Sequence, residues 1–199
     1  MLPLYALSII ITFASSFIGI LFFLPALSDV IVFAILAVLT IVCVIILGFR
    51  PSFPLLLIFN VLEGLSLSSL LFVAGVTDPT IIPGAFGLAA LIFTVFSLVS
   101  WKSSYNFLSW GKALFVLLIV AVIASIVEIF IQASWIDLAI DVGVIILFIG
   151  FVLYDTQNIL KRYSDDDYIN ACVSLYLDFL NIFVRLIEIL LGQRKERLK

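Results

Sequence analysis

The stretch YINACVSLYLDFLNIFVRLIEILL, residues 168–191, is long and apolar enough to cross a bilayer, yet it carries a regular set of polar side chains. These polar residues recur every three or four positions: Asn170, Ser174, Asp178, Asn181, Arg185 and Glu188. Because an α-helix turns by about 100° per residue, they fall in one stripe, and the other faces are mostly Leu, Ile, Val, Phe and Tyr. A membrane helix turns such a stripe toward partner helices or water. We therefore predict that this helix lies at the centre of a bundle.

Six further apolar stretches precede it, at about 4–23, 30–48, 53–75, 81–100, 113–133 and 138–160. A bilayer core about 30 Å thick needs roughly 20 apolar residues per helix, so each stretch can span it. The composition agrees, since 65% of the residues are hydrophobic, 12% are charged and the mean hydropathy is +1.37. We predict an all-α integral membrane protein, a single transmembrane domain over residues 1–199 that forms a seven-transmembrane helix bundle. The first stretch follows no basic segment, which favours a retained helix over a signal peptide.

Basic residues in the loops indicate the orientation. The loops after the second, fourth and sixth stretches contain Arg50, Lys102, Lys112, Lys161 and Arg162, whereas the other three contain no Lys or Arg. Positively charged loops stay on the cytoplasmic side, so we predict a cytoplasmic N-terminus, in the plasma membrane if the source is prokaryotic. The basic tail from Arg194 to Lys199 falls on the outer side in this topology, against the same rule.

The outer side is predicted to be acidic. Its loops and helix ends carry Asp29, Asp78, Glu128, Asp137 and Asp141. Such a rim would concentrate cations from solution. The alternative is a set of solvated loop carboxylates with no role in transport.

Several classes of function are excluded by the composition. The chain has no histidine, which removes Ser-His and Cys-His nucleophiles, HExxH zinc sites and histidine proton relays. The net charge of −3 provides no basic patch for nucleic acid. Cys43 and Cys172 lie inside predicted spans, where we interpret them as packing residues. We predict no cofactor and no nucleic acid partner, with bilayer lipids and ions as partners of a monomer or weak oligomer.

Two carboxylates of the last two predicted spans, Asp155 and Asp178, are candidates for a functional pair. Asp178 is near mid-span, where a charged group is costly unless it is protonated, paired or hydrated. Asp155 is near the cytoplasmic end of the preceding span, and the short loop between the spans makes the two helices antiparallel neighbours. The two carboxyls could therefore share one proton and form a pH-sensitive latch. Alternatively, they bond to Asn158 and Asn181, and Arg185 only offsets charge within its own helix.

Five further positions are candidates for an ion pathway or its control. Glu63 is a third deep acid, either a pathway ligand or a protonated group bonded to a neighbouring helix, with Gly64 allowing close approach. Arg50 is either a positive-inside anchor or a side chain that reaches Asp155 from the cytoplasmic edge. The polar stripe adds Ser174, Asn181 and Arg185 as pathway candidates.

The segments VLYDTQNILKRY at 152–163 and DDYINACVSLYLDFLNIFVRLIEIL at 166–190 resemble the transmembrane Bax inhibitor motif family. Three upstream segments are also similar to it: FNVLEGLSLSSLL at 59–71, PTIIPGAFGLAALIFTVFSL at 79–98 and SYNFLSWG at 104–111. The resemblance implies a seven-helix fold with the last helix surrounded by the other six. It also implies a function, because bacterial members are described as pH-sensitive calcium-leak channels and eukaryotic members as cell-death suppressors that lower stored calcium.

Carried over by motif, Asp155 and Asp178 would form the pH sensor and contact Ca²⁺ transiently, and Arg50 would pair with Asp155 in one state. The second stretch carries no acid, although some relatives have one, which puts an extra ion-binding position in doubt. Two alternatives are a proton-coupled calcium exchanger and a non-conducting interaction protein that modulates membrane partners or cell death. Intramembrane proteolysis by two aspartates is disfavoured, because Leu175, Tyr176 and Leu177 stand where such proteases have a Gly-x-Gly run. We predict that the protein is not an enzyme.

Overall fold

The computed structural model describes residues 2–23, 30–131, 133–164 and 167–197, and all regular structure within these ranges is helical. Seven α-helices follow one another: α1 (Leu2–Ile18, extended by a π-helical segment at Gly19–Phe23), α2 (Val30–Phe49), α3 (Phe53–Thr77), α4 (Ile81–Lys102), α5 (Gly111–Ile131), α6 (Ser134–Lys161) and α7 (Tyr168–Arg197). A short 3₁₀ turn, Phe107–Trp110, precedes α5. The prediction of an all-α, seven-helix chain is confirmed.

Among the residues that the structure describes, five segments are long and apolar enough by themselves to cross a membrane: Pro3–Phe22, Phe53–Thr77, Ile81–Lys102, Phe107–Glu128 and Ser134–Lys161. The apolar segment of α2, Ile35–Phe49, is shorter than these five segments. The remaining helix, α7, contains the polar stripe. Between residues 169 and 191 none of its side chains is exposed, as expected for the central helix of a bundle.

Two helix ends differ from the sequence-based bounds. α6 begins at Ser134 and not at 138, which places Asp137 in its first turn, where a carboxylate interacts favourably with the helix dipole. α7 continues beyond 191 to Arg197, since Gln, Arg, Lys and Glu are good helix formers once the chain leaves the apolar region.

The chain divides into two compact units, and α7 contributes to both. Unit 1 contains residues Met1–Val76 and Ser164–Tyr176, and unit 2 contains Thr77–Tyr163 and Leu177–Lys199. Cys43 and Cys172 belong to unit 1, where both are buried free thiols. The prediction of one transmembrane domain over the whole chain stays a prediction.

Unit 2 is built on α6, which packs against α4 and α5. Two glycines, Gly111 and Gly150, allow α5 and α6 to approach each other closely in the half of α6 nearer to Lys161. A Cβ at Gly150 would lie 2.7 Å from Leu114 Cδ2, and a Cβ at Gly111 would lie 2.9 Å from the Tyr154 ring. This tight packing fixes the part of α6 that carries Asp155.

Candidate functional site

The structure brings Asp155 of α6 and Asp178 of α7 together inside unit 2, where their side-chain carboxyls are within hydrogen-bonding reach of each other. Asp178 is only 3% exposed, whereas Asp155 is half-buried. The antiparallel arrangement of α6 and α7 therefore places the two acids at the same level. We call these two residues the aspartate pair.

Asp155 is held by hydrogen bonds on both sides of it along α6. The Ser100 hydroxyl of α4 donates to the Leu153 carbonyl at 2.6 Å, two residues before Asp155. Two residues after it, the Gln157 amide oxygen accepts from the Phe107 backbone N–H at 2.9 Å, and its nitrogen donates to the Tyr105 carbonyl at 2.7 Å. Gln157 is 1% exposed, so these bonds are shielded from water. The buried Gln157 thus ties the α4–α5 connection to the helix that presents Asp155.

Asp178 is positioned by the aromatic residue that follows it. The Phe179 ring contacts Phe86 at 5.4 Å and Phe93 at 6.1 Å between centroids, both in edge-to-face geometry with rings of α4. It also stacks on Phe183 one turn further along α7. These contacts fix the rotation of α7 against α4, so the carboxyl of Asp178 is directed by packing.

The buried oxygen Oδ2 of Asp178 has no hydrogen-bond partner among the described residues. Two ionised carboxylates are acceptors only and repel each other. A proton carried by the pair turns one oxygen into a donor, so that the carboxyls can bond directly. The chemistry of the pair therefore allows one proton, by binding or leaving, to switch the two carboxyls between a bonded and a repelling state.

A second charged cluster surrounds Arg185 of α7. Its guanidinium donates to Asp141 Oδ1 of α6 at 2.8 Å, to Glu188 Oε2 at 3.0 Å and to Ser125 Oγ of α5 at 2.7 Å. Glu128 Oε2 lies 3.9 Å away. We call these five residues the Arg185 cluster. It joins α5, α6 and α7 and keeps a net negative charge when all of its carboxylates are ionised.

This cluster corrects the interpretation that Arg185 only offsets charge within its own helix. Asp141 and Ser125 are separated from it by 44 and 60 positions along the chain. No local spacing could indicate these partners, although each was visible as a polar residue in an apolar span. Whether Arg185 belongs to an ion pathway stays a prediction.

The other predicted site residues are placed individually. Asn181 donates to the Leu177 carbonyl at 2.8 Å within α7, so its amide is used by its own helix. Glu63 and Ser174 are half-buried in unit 1, and Arg50 is exposed at the end of α2 in the same unit. Their roles in the pathway, and the pairing of Arg50 with Asp155, stay predictions. The buried Gln157 and Asn60 were not among the predicted residues.

The predicted acidic rim is partly neutralised. Asp78 accepts from the Thr80 hydroxyl at 2.6 Å and from its backbone N–H at 2.8 Å, and Arg194 Nη2 lies 2.6 Å from its other oxygen. The hydrogen bonds from Thr80, with the Arg194 charge, hold the pKa of Asp78 below its ordinary value. The end of α7 thus lies beside the α3–α4 loop. Asp29 and the side chains of 195–199 lie outside the described residues.

The described residues contain no group of three or more His, Cys, Asp or Glu side chains that could hold a metal ion. The aspartate pair therefore offers two carboxylates at most. Stable calcium sites use six to eight oxygen ligands, more than such a pair provides.

Comparison with known proteins decides the family. The family model described as inhibitor of apoptosis-promoting Bax1 matches residues 1–196. The chain belongs to the Bax inhibitor family. This membership, with the apolar helices above, makes it a multi-pass integral membrane protein.

Three proteins from different organisms are similar to this Bax inhibitor family member. Human Bax inhibitor 1 is 36% identical over 147 residues, which cover 71% of this chain and 61% of the relative. LIFEGUARD 4 of Arabidopsis thaliana is 40% identical over 103 residues, 51% of this chain and 42% of the relative. An uncharacterized protein of Campylobacter jejuni is 41% identical over 134 residues, 66% and 58% of the two chains. The chain spans about half the length of the curated relatives it matches.

Proposed function

We propose that this protein is a pH-sensitive calcium-leak channel that moves Ca²⁺ down its gradient, gated by the proton shared between Asp155 and Asp178. The observation that carries the proposal is the contact of these two carboxyls between α6 and α7. The motif resemblance supports it, because it assigns the pH sensor to the same two positions. The proposed orientation has the N-terminus in the cytoplasm, and a prokaryotic source would place the protein in the plasma membrane.

The protonated pair is the closed latch. One shared proton bonds α6 to α7 and leaves a single negative charge on the pair. Loss of that proton at higher pH places two like charges side by side. At about 4 Å and an effective dielectric constant of about 20, they repel by about 4 kcal/mol. Since each 1.4 kcal/mol is a factor of ten, this repulsion shifts the balance toward the separated state by roughly a thousandfold. Arg50 then compensates the charge of Asp155 in the open state.

The Arg185 cluster is proposed as an outer station of the calcium pathway. Its excess of carboxylates attracts cations, while Arg185 prevents a cation from being held too firmly. Beyond it, Ca²⁺ meets the aspartate pair as a transient pair of oxygen ligands. Glu63 and the stripe residues Ser174 and Asn181 are further proposed contacts. The polypeptide alone, with lipid around it and no cofactor, performs the transport.

Calcium flux into dye-loaded proteoliposomes that contain only this protein tests the proposal. We expect Ca²⁺ to enter down its gradient, faster at higher pH. Uphill movement driven by an imposed proton gradient would instead establish the exchanger. A complete lack of flux at every pH would reject conduction and leave the interaction protein that modulates membrane partners or cell death. Anti-apoptotic relatives such as the Golgi anti-apoptotic protein of vaccinia virus favour that second candidate.

A further inference from the structure

A polar seam runs through unit 1 where α1 packs against α3. Four hydroxyl residues of α1 are buried there, namely Ser8, Thr12, Ser15 and Ser16. The Ser16 hydroxyl donates to the Gly64 carbonyl of α3 at 2.8 Å, and the Ser68 hydroxyl returns a bond to the Ser16 carbonyl at 3.1 Å. A Cβ at Gly64 would overlap Ser15, so the two helices are as close as glycine allows. Backbone carbonyls accept from the other hydroxyls of this seam, and the Ser8 hydroxyl is paired with Cys172 Sγ at 3.7 Å.

Asn60 in the same seam is different. It is 0% exposed, and neither its Oδ1 nor its Nδ2 has a hydrogen-bond partner among the described residues. Its backbone carbonyl accepts from the Thr12 hydroxyl at 3.3 Å, so the main chain is bonded and only the side-chain amide is left over. An unpaired amide in an apolar interior costs about 1–3 kcal/mol by mutational measures. A buried amide with both of its polar atoms unpaired requires a partner.

The surroundings of Asn60 are polar on two further sides. Thr12 also bonds the Tyr176 hydroxyl of α7 at 2.7 Å, which brings a third helix to this place. Glu63 lies one turn along α3 from Asn60 and is close enough to Tyr176 to interact with it electrostatically. Three helices thus bring a carboxyl, two hydroxyls and the amide into the same part of unit 1.

The chemistry of the amide selects its ligand. Nδ2 carries two N–H donors and needs an acceptor, whereas Oδ1 needs a donor. A bare cation could serve Oδ1 but would be repelled by the N–H groups, and an anion could serve only Nδ2. Water both donates and accepts, and buried waters typically make about three hydrogen bonds to such groups. We propose that unit 1 contains an internal hydration site at Asn60, where a bound water bridges the amide to the polar groups of α1, α3 and α7.

This site would give Glu63 a hydrogen-bonded route for proton exchange that does not involve the aspartate pair. It goes beyond the proposed channel function, because it concerns bound water in unit 1 and requires no calcium movement. The side chains next to the site are aromatic and themselves buried. Phe59 is 0% exposed and Tyr176 is 1% exposed, and their rings meet edge to face at 5.6 Å.

Hydroxyl-radical footprinting of the detergent-solubilised wild-type protein tests the site. Radicals formed from bound water modify side chains beside it, even where bulk solvent has no access. We expect Phe59 and Tyr176 to be modified, whereas Phe183, an equally buried phenylalanine packed against Phe86 and Phe179, stays unmodified. The comparison of two phenylalanines that are both 0% exposed removes differences in intrinsic reactivity and burial.

The variant Asn60→Leu, which keeps the number and branching of the side-chain heavy atoms, should lose the modification of Phe59 down to the level of Phe183. The control Ser66→Ala changes a hydroxyl that bonds only its own helix at Leu62, and should keep it. Unmodified Phe59 in the wild type, or equal modification of Phe59 and Phe183, would overturn the site. Because the wild type alone gives this result, the test stands even if Asn60→Leu does not fold.

Discussion

The Arg185 cluster predicts a graded set of stabilities. Arg185→Leu leaves the 6%-exposed Asp141 carboxylate without its cation, and removing one partner of a buried ion pair typically costs 3–5 kcal/mol. Since the Arg185 side chain is itself 18% exposed, we expect the lower end, about 3 kcal/mol. Asp141→Asn keeps an acceptor for the guanidinium and should cost about 1–2 kcal/mol. Glu188→Gln alters a 36%-exposed side chain and should cost less than about 1 kcal/mol.

Unfolding in mixed detergent micelles, followed by tryptophan fluorescence, measures these differences. The double variant Arg185→Leu with Asp141→Leu should recover part of the loss, because it removes the uncompensated charge together with its partner. The reasoning is refuted if Arg185→Leu is as stable as wild type. It is equally refuted if Glu188→Gln is as damaging as Asp141→Asn, since burial then does not set the cost.

Three further changes follow from the packing and charges. Gly64→Ala forces α1 and α3 apart and should lower the unfolding free energy by about 1–3 kcal/mol. Gly87→Ala, with nothing within 4 Å of the added methyl group, should be neutral or stabilising by up to about 1 kcal/mol. Thermal unfolding of the two variants measures this difference. Gln157→Leu leaves a loop N–H and a loop carbonyl unpaired and should increase amide hydrogen exchange across the 3₁₀ turn before α5, which mass spectrometry detects. The pKa of Asp78 is lower in the folded protein than its ordinary value of 3.8. The ionised carboxylate therefore stabilises the protein fully at a pH above 3.8, and this stabilisation is lost as pH falls through the lowered pKa. Asp78→Asn should therefore reduce the melting temperature at neutral pH, and its difference from wild type should shrink as pH falls through the lowered pKa of Asp78.

Much of the fold could be predicted because every helix that spans a bilayer must be long and apolar enough to cross its hydrocarbon core. Length and apolar character located the helices, and the stripe of Asp178 and its neighbours indicated that α7 is surrounded. The meeting of Asp155 and Asp178 followed from the short loop between two antiparallel helices. Helix ends were less predictable, because Asp137 and the basic tail are compatible with both helix and loop.

The remaining parts of the site depend on helices that are distant in sequence. The partners of Arg185 come from α5 and α6, and the bonds of Gln157 come from the connection between α4 and α5. Which polar groups meet depends on helix rotation, and rotation is set by packing such as the Phe179 contacts with α4. A single sequence contains the polar residues but not these rotations.

The most direct test of the gate is calcium flux against pH, compared between wild type and Asp178→Asn in proteoliposomes. The asparagine can donate to Asp155 but cannot ionise, so the like-charge repulsion never develops. Asp167→Asn is the matched control, because it removes a loop carboxylate that bonds Ser164. We predict that flux rises from about pH 5 to about pH 8 in wild type and in the control, and stays low and flat in Asp178→Asn and in Asp155→Asn. A flux in Asp178→Asn that rises with pH as in wild type would contradict the proton-sharing pair as the gate.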